Sequence, residues 1–488
     1  MRLPLSLLAV LLLPRLALAQ AKPTEADYYT LTSFTPPAEV VLEGGDLELL
    51  PDGRLALCTR RGQVWVIGGA TDDVPGNETY SLFATGMHET LGLAYRDGWL
   101  YVMQRAEITR LKDLDGDGRA DVYETFCDGF GLSGDYHEYN FMSKFDPQGN
   151  LYVVLCLTGS FNSNIEYRGW CLKIDPQGVA TPFASGIRSP GGIGFDRHGD
   201  LYYTDNQGPW NGSSTLKHLV RGSFQGHPGG NKWYSLSDVL GPRPVDPQDK
   251  SRMVVERERV KELVPPAIVL AHGKLGQSPT SVVWDASGGK FGPFAGQVFV
   301  GEQTFSEVHR VFLEKVNGVA QGAAFRFRKG FASGNIGGYL TREGQLFATG
   351  SDRGWGARGG KRWNFERVTW TGRVPFEVHE MRAKPDGFEL TFTEPVEAAT
   401  AADPASYALA AWTYIYRAEY GSPEVDAAKP VITAAEVAPD GRTVRLKVDG
   451  LVRGHVHELK LPGLRNRAGI GLLHPEAYYT LNEIPSGS

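Results

Sequence analysis

The chain has 488 residues, with 50 Lys+Arg against 56 Asp+Glu, a net charge of −6, 41% hydrophobic and 22% charged residues. This balance excludes a largely disordered chain, and the mild acidity excludes a nucleic-acid partner, because a phosphate track needs a net basic face. Sixty Gly, 30 Pro and 11% aromatic residues favour many turns and aromatic-rich strands over a helical bundle, and the length predicts one large domain followed by a smaller one.

At the N-terminus Arg2 precedes an apolar run from Leu3 to Leu18, interrupted by Pro14 and Arg15, and Ala17 and Ala19 fit an A-x-A cleavage site before Gln20. Residues 1–19 therefore read as a signal peptide, and the mature chain is expected to be periplasmic or secreted, with no membrane span. Cys58, Cys127, Cys156 and Cys171 show no C-x-x-C spacing, which argues against a c-type haem and a Cys-rich zinc site. Cys156 and Cys171 lie on successive apolar strands, where a disulfide and buried thiols are both open.

From residue 50 onward one phrase recurs, a polar turn ending in Gly followed by an alternating apolar strand: LPDGRLAL, YRDGWLYV, DPQGNLYV, DRHGDLYY, PFAGQVFV and TREGQLFA. Most copies stand about 45–50 residues apart, the period of a four-stranded blade. A unit of this size cannot bury its faces alone, so the pattern predicts an all-β fold, a six-bladed β-propeller over 38–374. The double gap between the fourth and fifth copies holds KWYSLSDVLGPRPVDPQDK and SRMVVERERVKELV, read as an insertion with a short helix over one face. Beyond Trp370 the repeat stops, and alternating strands with turn signals predict an Ig-like β-sandwich over 375–488.

The sharpest local motif is DLDGDGRADVYE, which sets Asp113, Asp115, Asp117, Asp121 and Glu124 at positions 1, 3, 5, 9 and 12, with Gly118 at 6. That is the spacing of a calcium loop, here expected to staple a blade edge. Propeller sites gather where the inner strands begin, which directs attention to His88, Glu89, His137, Glu138, Arg188, Gln277, Ser278 and Asn335. Trp210, Trp233 and Trp355 offer flat faces for a sugar. No nucleophile elbow, zinc-protease helix, P-loop or dinucleotide fingerprint occurs.

The stretch RSPGGIGFDRHGDLYYTDNQGPW, followed by GSFQGHP, resembles the soluble PQQ-dependent glucose/sorbosone dehydrogenases, which are six-bladed propellers. DNQGPW, SDRGWG and AYYTLN are similar to exported propeller proteins of planctomycete-type bacteria labelled membrane-bound or PQQ-like dehydrogenases. The resemblance implies that His137 is the general base, that Arg188 faces the cofactor with Asn206 and Gln207 beside it, and that the carbonyls of Gly208 and Pro209 hold a calcium ion near PQQ. His88, Glu89, Glu138 and Trp210 would then border the substrate. The chain departs from that family where GEQTFSEVHR and GFASGNIGG carry no cation in the places expected to neutralise the cofactor, and where Thr158 stands for an Asp. The expected function is a quinoprotein-like dehydrogenase for a sugar or alcohol; the alternative is a PQQ-independent propeller that binds carbohydrate or acts on it through a metal held by the His-Glu residues.

Overall fold

A computed structural model describes residues 22–352 and 354–487; the expected signal peptide lies outside them. The chain is mostly β. Each of the six Gly phrases forms the hairpin between the first two strands of a sheet, and the turn glycines Gly53, Gly98, Gly149, Gly199, Gly296 and Gly344 all have φ between +79° and +88°. A side chain at these positions would be strained, which is why the phrase keeps Gly at one place.

The first sheet runs Gly44–Leu49, Leu55–Thr59, Gln63–Gly68, Thr79–Ala84, and the second Gly92–Arg96, Trp99–Met103, Ile108–Lys112, Val122–Cys127. The third comprises Asn140–Phe145, Leu151–Leu155, Trp170–Ile174 and Ala180–Ser185; the fourth comprises Pro190–Phe195, Leu201–Asp205, Ser214–Leu219 and Pro266–Leu270. The fifth begins Pro279–Trp284, Val298–Glu302, Glu307–Val316, Val319–Lys329, and the sixth Gly337–Leu340, Gln345–Ser351, Trp363–Trp370. All are antiparallel. Their first strands touch in sequence and the sixth returns to the first, so the sheets form a closed, propeller-like ring. The sixth takes its fourth strand, Tyr29–Ser33, from upstream of the first repeat, in register from Tyr29↔Trp370 to Ser33↔Glu366. That strand lacks the Gly phrase, so the repeat pattern does not reveal it.

The segment after Trp370 is joined to the ring by main-chain pairing. Gly322↔Thr480, Ala323↔Tyr479 and Ala324↔Tyr478 extend the fifth sheet through Glu476–Leu481, His455–Lys460, Ala408–Tyr414 and Glu424–Ala428 into one eight-stranded sheet. A second sheet, Val378–Lys384, Gly387–Phe392, Thr443–Asp449 and Val431–Val437, shares a core with it. Phe312 and Phe325 of the ring meet Met381, Phe388, Leu390 and Tyr479 there. Fully buried Arg310 donates to the carbonyls of Val378 (2.6 Å) and His379 (3.0 Å) across this junction.

The insertion leaves the fourth sheet between its third and fourth strands. It does not stand free as a lid: Trp170 Nε1 donates to Gly230 (2.9 Å), Tyr234 packs on Trp170, and Arg257 of the helix Met253–Arg259 pairs with Glu483 (3.1 Å). Among the described residues no helix is long and apolar enough to cross a membrane. All four cysteines are buried free thiols, which resolves the open pairing of Cys156 and Cys171.

His474 ties the two ends of the described chain together. Its Nδ1 lies 2.6 Å from Glu377 and its Nε2 3.0 Å from Glu25. Burial alone would lower the imidazole's pKa, but the carboxylates of Glu377 and Glu25 outweigh it and hold it at about 9. A pKa raised on folding stabilises fully below the ordinary histidine value of about 6.5 and is lost as pH rises toward the folded value. Thermal melts should accordingly show stability falling between about pH 6.5 and 9, and His474→Gln should remove most of that slope while lowering stability at pH 6; an unchanged slope would exclude the clamp.

Candidate functional site

At one end of the ring, the loops that lead into the first strands and the loops that follow the second strands enclose a cavity of about 690 Å³. His137 and Tyr139 enter from the third sheet, Arg188 and Asn206 from the fourth, Gln277 and Gln303 from the fifth, and Trp355 from the sixth. The ladders between first and second strands shift register at this end, between Asn140/Ser143, Pro190/Gly192 and Pro279/Val282. Such bulges bend the strand and re-aim the side chains at its entrance.

Three side-chain polar atoms at this cavity are buried without a protein partner: Arg188 Nε, Asn206 Oδ1 and His272 Nδ1. Leaving a buried donor or acceptor unpaired costs about 1–3 kcal/mol, and since none of the three atoms reaches the surface, they belong to the wall behind the cavity face. Arg188 is 4% exposed, and its Nη1 donates to the Asn206 carbonyl at 3.3 Å. Burial holds the His272 imidazole below its usual range, so it faces the cavity neutral, with one ring nitrogen a donor and the other an acceptor. The described lining carries one permanent cation and no carboxylate.

The loop that presents Arg188 is fixed from behind. Asp205 accepts from the backbone N–H of Ser189 (2.8 Å) and Arg188 (3.4 Å), and from Lys217 Nζ at 3.1 Å. His137 differs in being 41% exposed at its side chain. Asp135 stands 3.9 Å from its Nδ1 and accepts from the His137 and Gly159 N–H groups at 2.8 and 2.9 Å. Burial would raise the Asp135 carboxyl, but those N–H donors hold it low, so an ionised carboxylate stands beside the imidazole.

His137, Arg188, Asn206, Gln207, Gln277 and Ser278 thus meet in one cavity. Gly208 and Pro209 do not line it: Gly208 exchanges hydrogen bonds with Asn211 (2.8 and 3.1 Å) in a turn packed against the Arg188 guanidinium. Trp210 packs on Tyr416 at 5.2 Å, beside a separate small crevice. Glu138 is buried, accepting from Ser133 N (2.6 Å) and Thr158 Oγ1 (2.6 Å), so it clamps loops; Thr158, found where the resemblance expects an Asp, serves that clamp. Glu89 pairs with Arg60 (2.5 Å) and Arg105 (3.3 Å), and His88 borders a shallow surface hollow beside it. Neither His-Glu pair presents both members to the cavity. Of the calcium loop, Asp113, Asp115 and Asp117 come within 4.8 Å of one another, whereas Asp121 accepts from Leu114 N (2.7 Å) and Glu124 pairs with Arg110 (2.6 Å).

Asp135, Tyr139, His272 and Tyr420 escaped the sequence reading. Asp135 carries a local signal, an acid two residues before a His, but His272 and Tyr420 come from segments outside the repeat.

The ring with a loop-built cavity at one end defines the class, a β-propeller. A glucose dehydrogenase-type oxidoreductase of Thermus thermophilus superposes with a TM-score of 0.50 at 18% identity over 70% of this chain and 99% of that one. A carbohydrate-active enzyme of family AA12 from Trichoderma reesei gives 0.51 at 12% identity over 72% and 98%. The PQQ-bound aldose sugar dehydrogenase of Streptomyces coelicolor gives 0.48 at 14% over 71% and 100%. Residues 55–330 match the family model described as Domain of unknown function (DUF7133), and the chain belongs to that family. No curated protein matches the sequence.

Gly208 offers a direct test of the Arg188 geometry. A Cβ there would overlap the guanidinium Cζ and Nε. The tip of a long side chain moves more easily than backbone, so Gly208→Ala should displace Arg188 with a stability change within about 1 kcal/mol. Ligand affinity measured by tryptophan fluorescence at Trp355 should fall at least tenfold; unchanged affinity would show that Arg188 does not face the ligand.

Proposed function

We propose that the protein is an exported, six-bladed propeller carrying a C-terminal β-sandwich, with the domains at 38–374, closed by the upstream strand Tyr29–Ser33, and 375–488, and that it oxidises a sugar or alcohol in the ring-end cavity as a quinoprotein-like dehydrogenase. The observation that carries this reading is a cavity lined by amides, hydroxyls and aromatic rings beside an accessible histidine. Asn206, Gln207, Gln277 and Gln303 bring amide donors and acceptors and Ser278 and Thr304 bring hydroxyls, and a polyhydroxylated ligand answers both kinds because each of its hydroxyls donates and accepts.

The cavity lining offers PQQ hydrogen-bond donors and aromatic faces. Arg188 and His272 supply donors for its carboxylate or quinone oxygens, and Tyr139, Phe141 and Trp355 supply aromatic faces for a planar ring. With one permanent cation in the described lining, three carboxylates are met mostly by neutral donors, so binding should be weaker and more salt-sensitive than a cation-rich pocket would give. When bound, PQQ supplies the two-electron acceptor for the alcohol carbon. On the protein's side, His137 takes the hydroxyl proton, with the Asp135 carboxylate 3.9 Å from its ring. Arg188, held by the Asp205 clamp, fixes the cofactor end of the cavity.

The decisive assay is reconstitution with PQQ and calcium, followed by dye reduction with a panel of aldoses and alcohols. We expect turnover that His137→Ala lowers by at least ~10²-fold with little change in melting temperature. Saccharide binding without PQQ uptake would favour the second reading, a PQQ-independent carbohydrate-binding propeller; the low cavity charge is the observation that keeps it in view.

We further propose that Asp113, Asp115 and Asp117 hold a calcium ion at the edge of the second sheet, supported by their convergence within 4.8 Å. Calcium should raise the melting temperature of the wild type and not that of Asp115→Ala. At a hundredfold excess over Kd the gain is about 2.7 kcal/mol. Equal calcium responses would remove the site.

A further inference from the structure

The cavity has an outer rim that the ring does not build alone. Tyr420 lies in the loop between Ala408–Tyr414 and Glu424–Ala428, within the C-terminal segment, yet it lines the cavity together with Phe161 of the third sheet's loop. The two rings stand 6.4 Å apart, tilted by 42°, and the Arg188 guanidinium sits 5.2 Å from the Tyr420 ring. Tyr420 is 57% exposed and Phe161 49%, so a large apolar surface faces solvent at the mouth of a polar cavity.

This exposure belongs to a loop that is firmly held. Trp210 N donates to the Arg417 carbonyl at 2.7 Å, and Ser422 N to that of Gly212 at 3.1 Å. The buried Tyr416 hydroxyl donates to the Gly226 carbonyl, and Arg417 Nε closes the turn on Gly421 O at 2.9 Å. Gly421 has φ +60°, and a Cβ there would meet the Gln207 side chain at 2.8 Å. Both sides of the loop are thus tied to the DNQGPW turn that follows the cavity's own strand. Exposed aromatic rings on a held loop beside a polar cavity are a binding arrangement: they present apolar area without the entropy loss that ordering flexible side chains would bring.

We propose that Tyr420 and Phe161 form an outer saccharide subsite, which makes the C-terminal segment the specificity wall of the cavity and the ligand a saccharide of two or more units. This rests on the saccharide reading above. The inner polar atoms grip the hydroxyls of the first unit, and the aromatic platform takes the C–H face of the next, since an aromatic ring is apolar on its face and a pyranose exposes C–H groups on its own. A monosaccharide fills the inner part and leaves the platform wet.

The test is isothermal titration of the full chain with glucose, cellobiose, cellotetraose, maltose and maltotetraose, on wild type, Tyr420→Ala, Tyr420→Phe and Phe161→Ala. We expect at least one linkage series to bind at least tenfold more tightly than glucose, the ratio to collapse toward one in Tyr420→Ala and Phe161→Ala, and Tyr420→Phe to preserve it. Unchanged melting temperatures confirm that the variants fold, as the exposure of both rings leads one to expect. Glucose binding with no length preference, or a ratio insensitive to Tyr420, overturns the subsite and leaves the saccharide reading standing. Wild type that binds none of these sugars overturns the saccharide reading and the subsite with it.

Discussion

Three main-chain pairs, Gly322↔Thr480, Ala323↔Tyr479 and Ala324↔Tyr478, fix the arrangement on which the rest of the molecule depends. An edge strand leaves its N–H and C=O groups open, and a ring of sheets has such an edge on every unit. Here the outer edge of the fifth sheet is covered by the C-terminal segment of the same chain, which makes one eight-stranded sheet in place of two domains joined by a linker. Main-chain ladders are geometrically exacting, because a slip of one residue would turn Tyr479 from the core it shares with Phe388 toward the opposite face. The position of every C-terminal loop relative to the ring follows from that register.

A second constraint acts at the cavity, where the acidic residues serve the loops. Asp205 accepts from Ser189 and Arg188, Glu138 from Ser133, and Glu302 from Gln277 at 2.9 Å and from Ser278 and Phe305. Each carboxylate receives backbone N–H groups of a loop that leads into or follows a cavity-forming strand. Such charge-assisted bonds are stronger than neutral ones and suit a loop with no ladder of its own. Burial foremost raises the Glu302 carboxyl to about 7, a measure of how far this clamp lies from water. With the acids engaged behind the loops, the cavity lining among the described residues is left to amides, hydroxyls, imidazoles, aromatic rings and Arg188.

This division explains which parts of the site were legible in the sequence. The Gly phrases were readable because a left-handed turn restricts residue type at one fixed position, and their recurrence located the inner strands and so the loops before them. That logic reached His137, Arg188, Gln277 and Ser278. It also selected Glu89 and Glu138, because a loop position does not tell whether a carboxylate points into the cavity or back at a neighbouring N–H. The calcium spacing was clear, but spacing could not show that Arg110, across the ladder on Ile108–Lys112, takes Glu124 out of the cluster. Tyr29–Ser33, His272 and Tyr420 were invisible because their roles arise from pairing between segments far apart in sequence.

The cavity's charge then follows from structure as much as from composition. Asp205 and Lys217 form a buried pair at 3.1 Å directly behind Arg188, and Lys217 also donates to the Gln225 carbonyl at 2.9 Å. Breaking such a pair by removing one partner typically costs about 3–5 kcal/mol, because the other charge stays buried and uncompensated. The lysine is therefore committed to the loop clamp and its charge is largely neutralised before it can act on a ligand. Arg188 is held differently: Nη1 reaches the Asn206 carbonyl and the guanidinium lies 5.2 Å from the Tyr420 ring at the cavity rim, away from any carboxylate that would neutralise it. Among the described residues, a group bound here meets the Arg188 cation surrounded by neutral donors and acceptors, an environment that discriminates by the pattern of hydroxyls and by ring stacking more than by net charge.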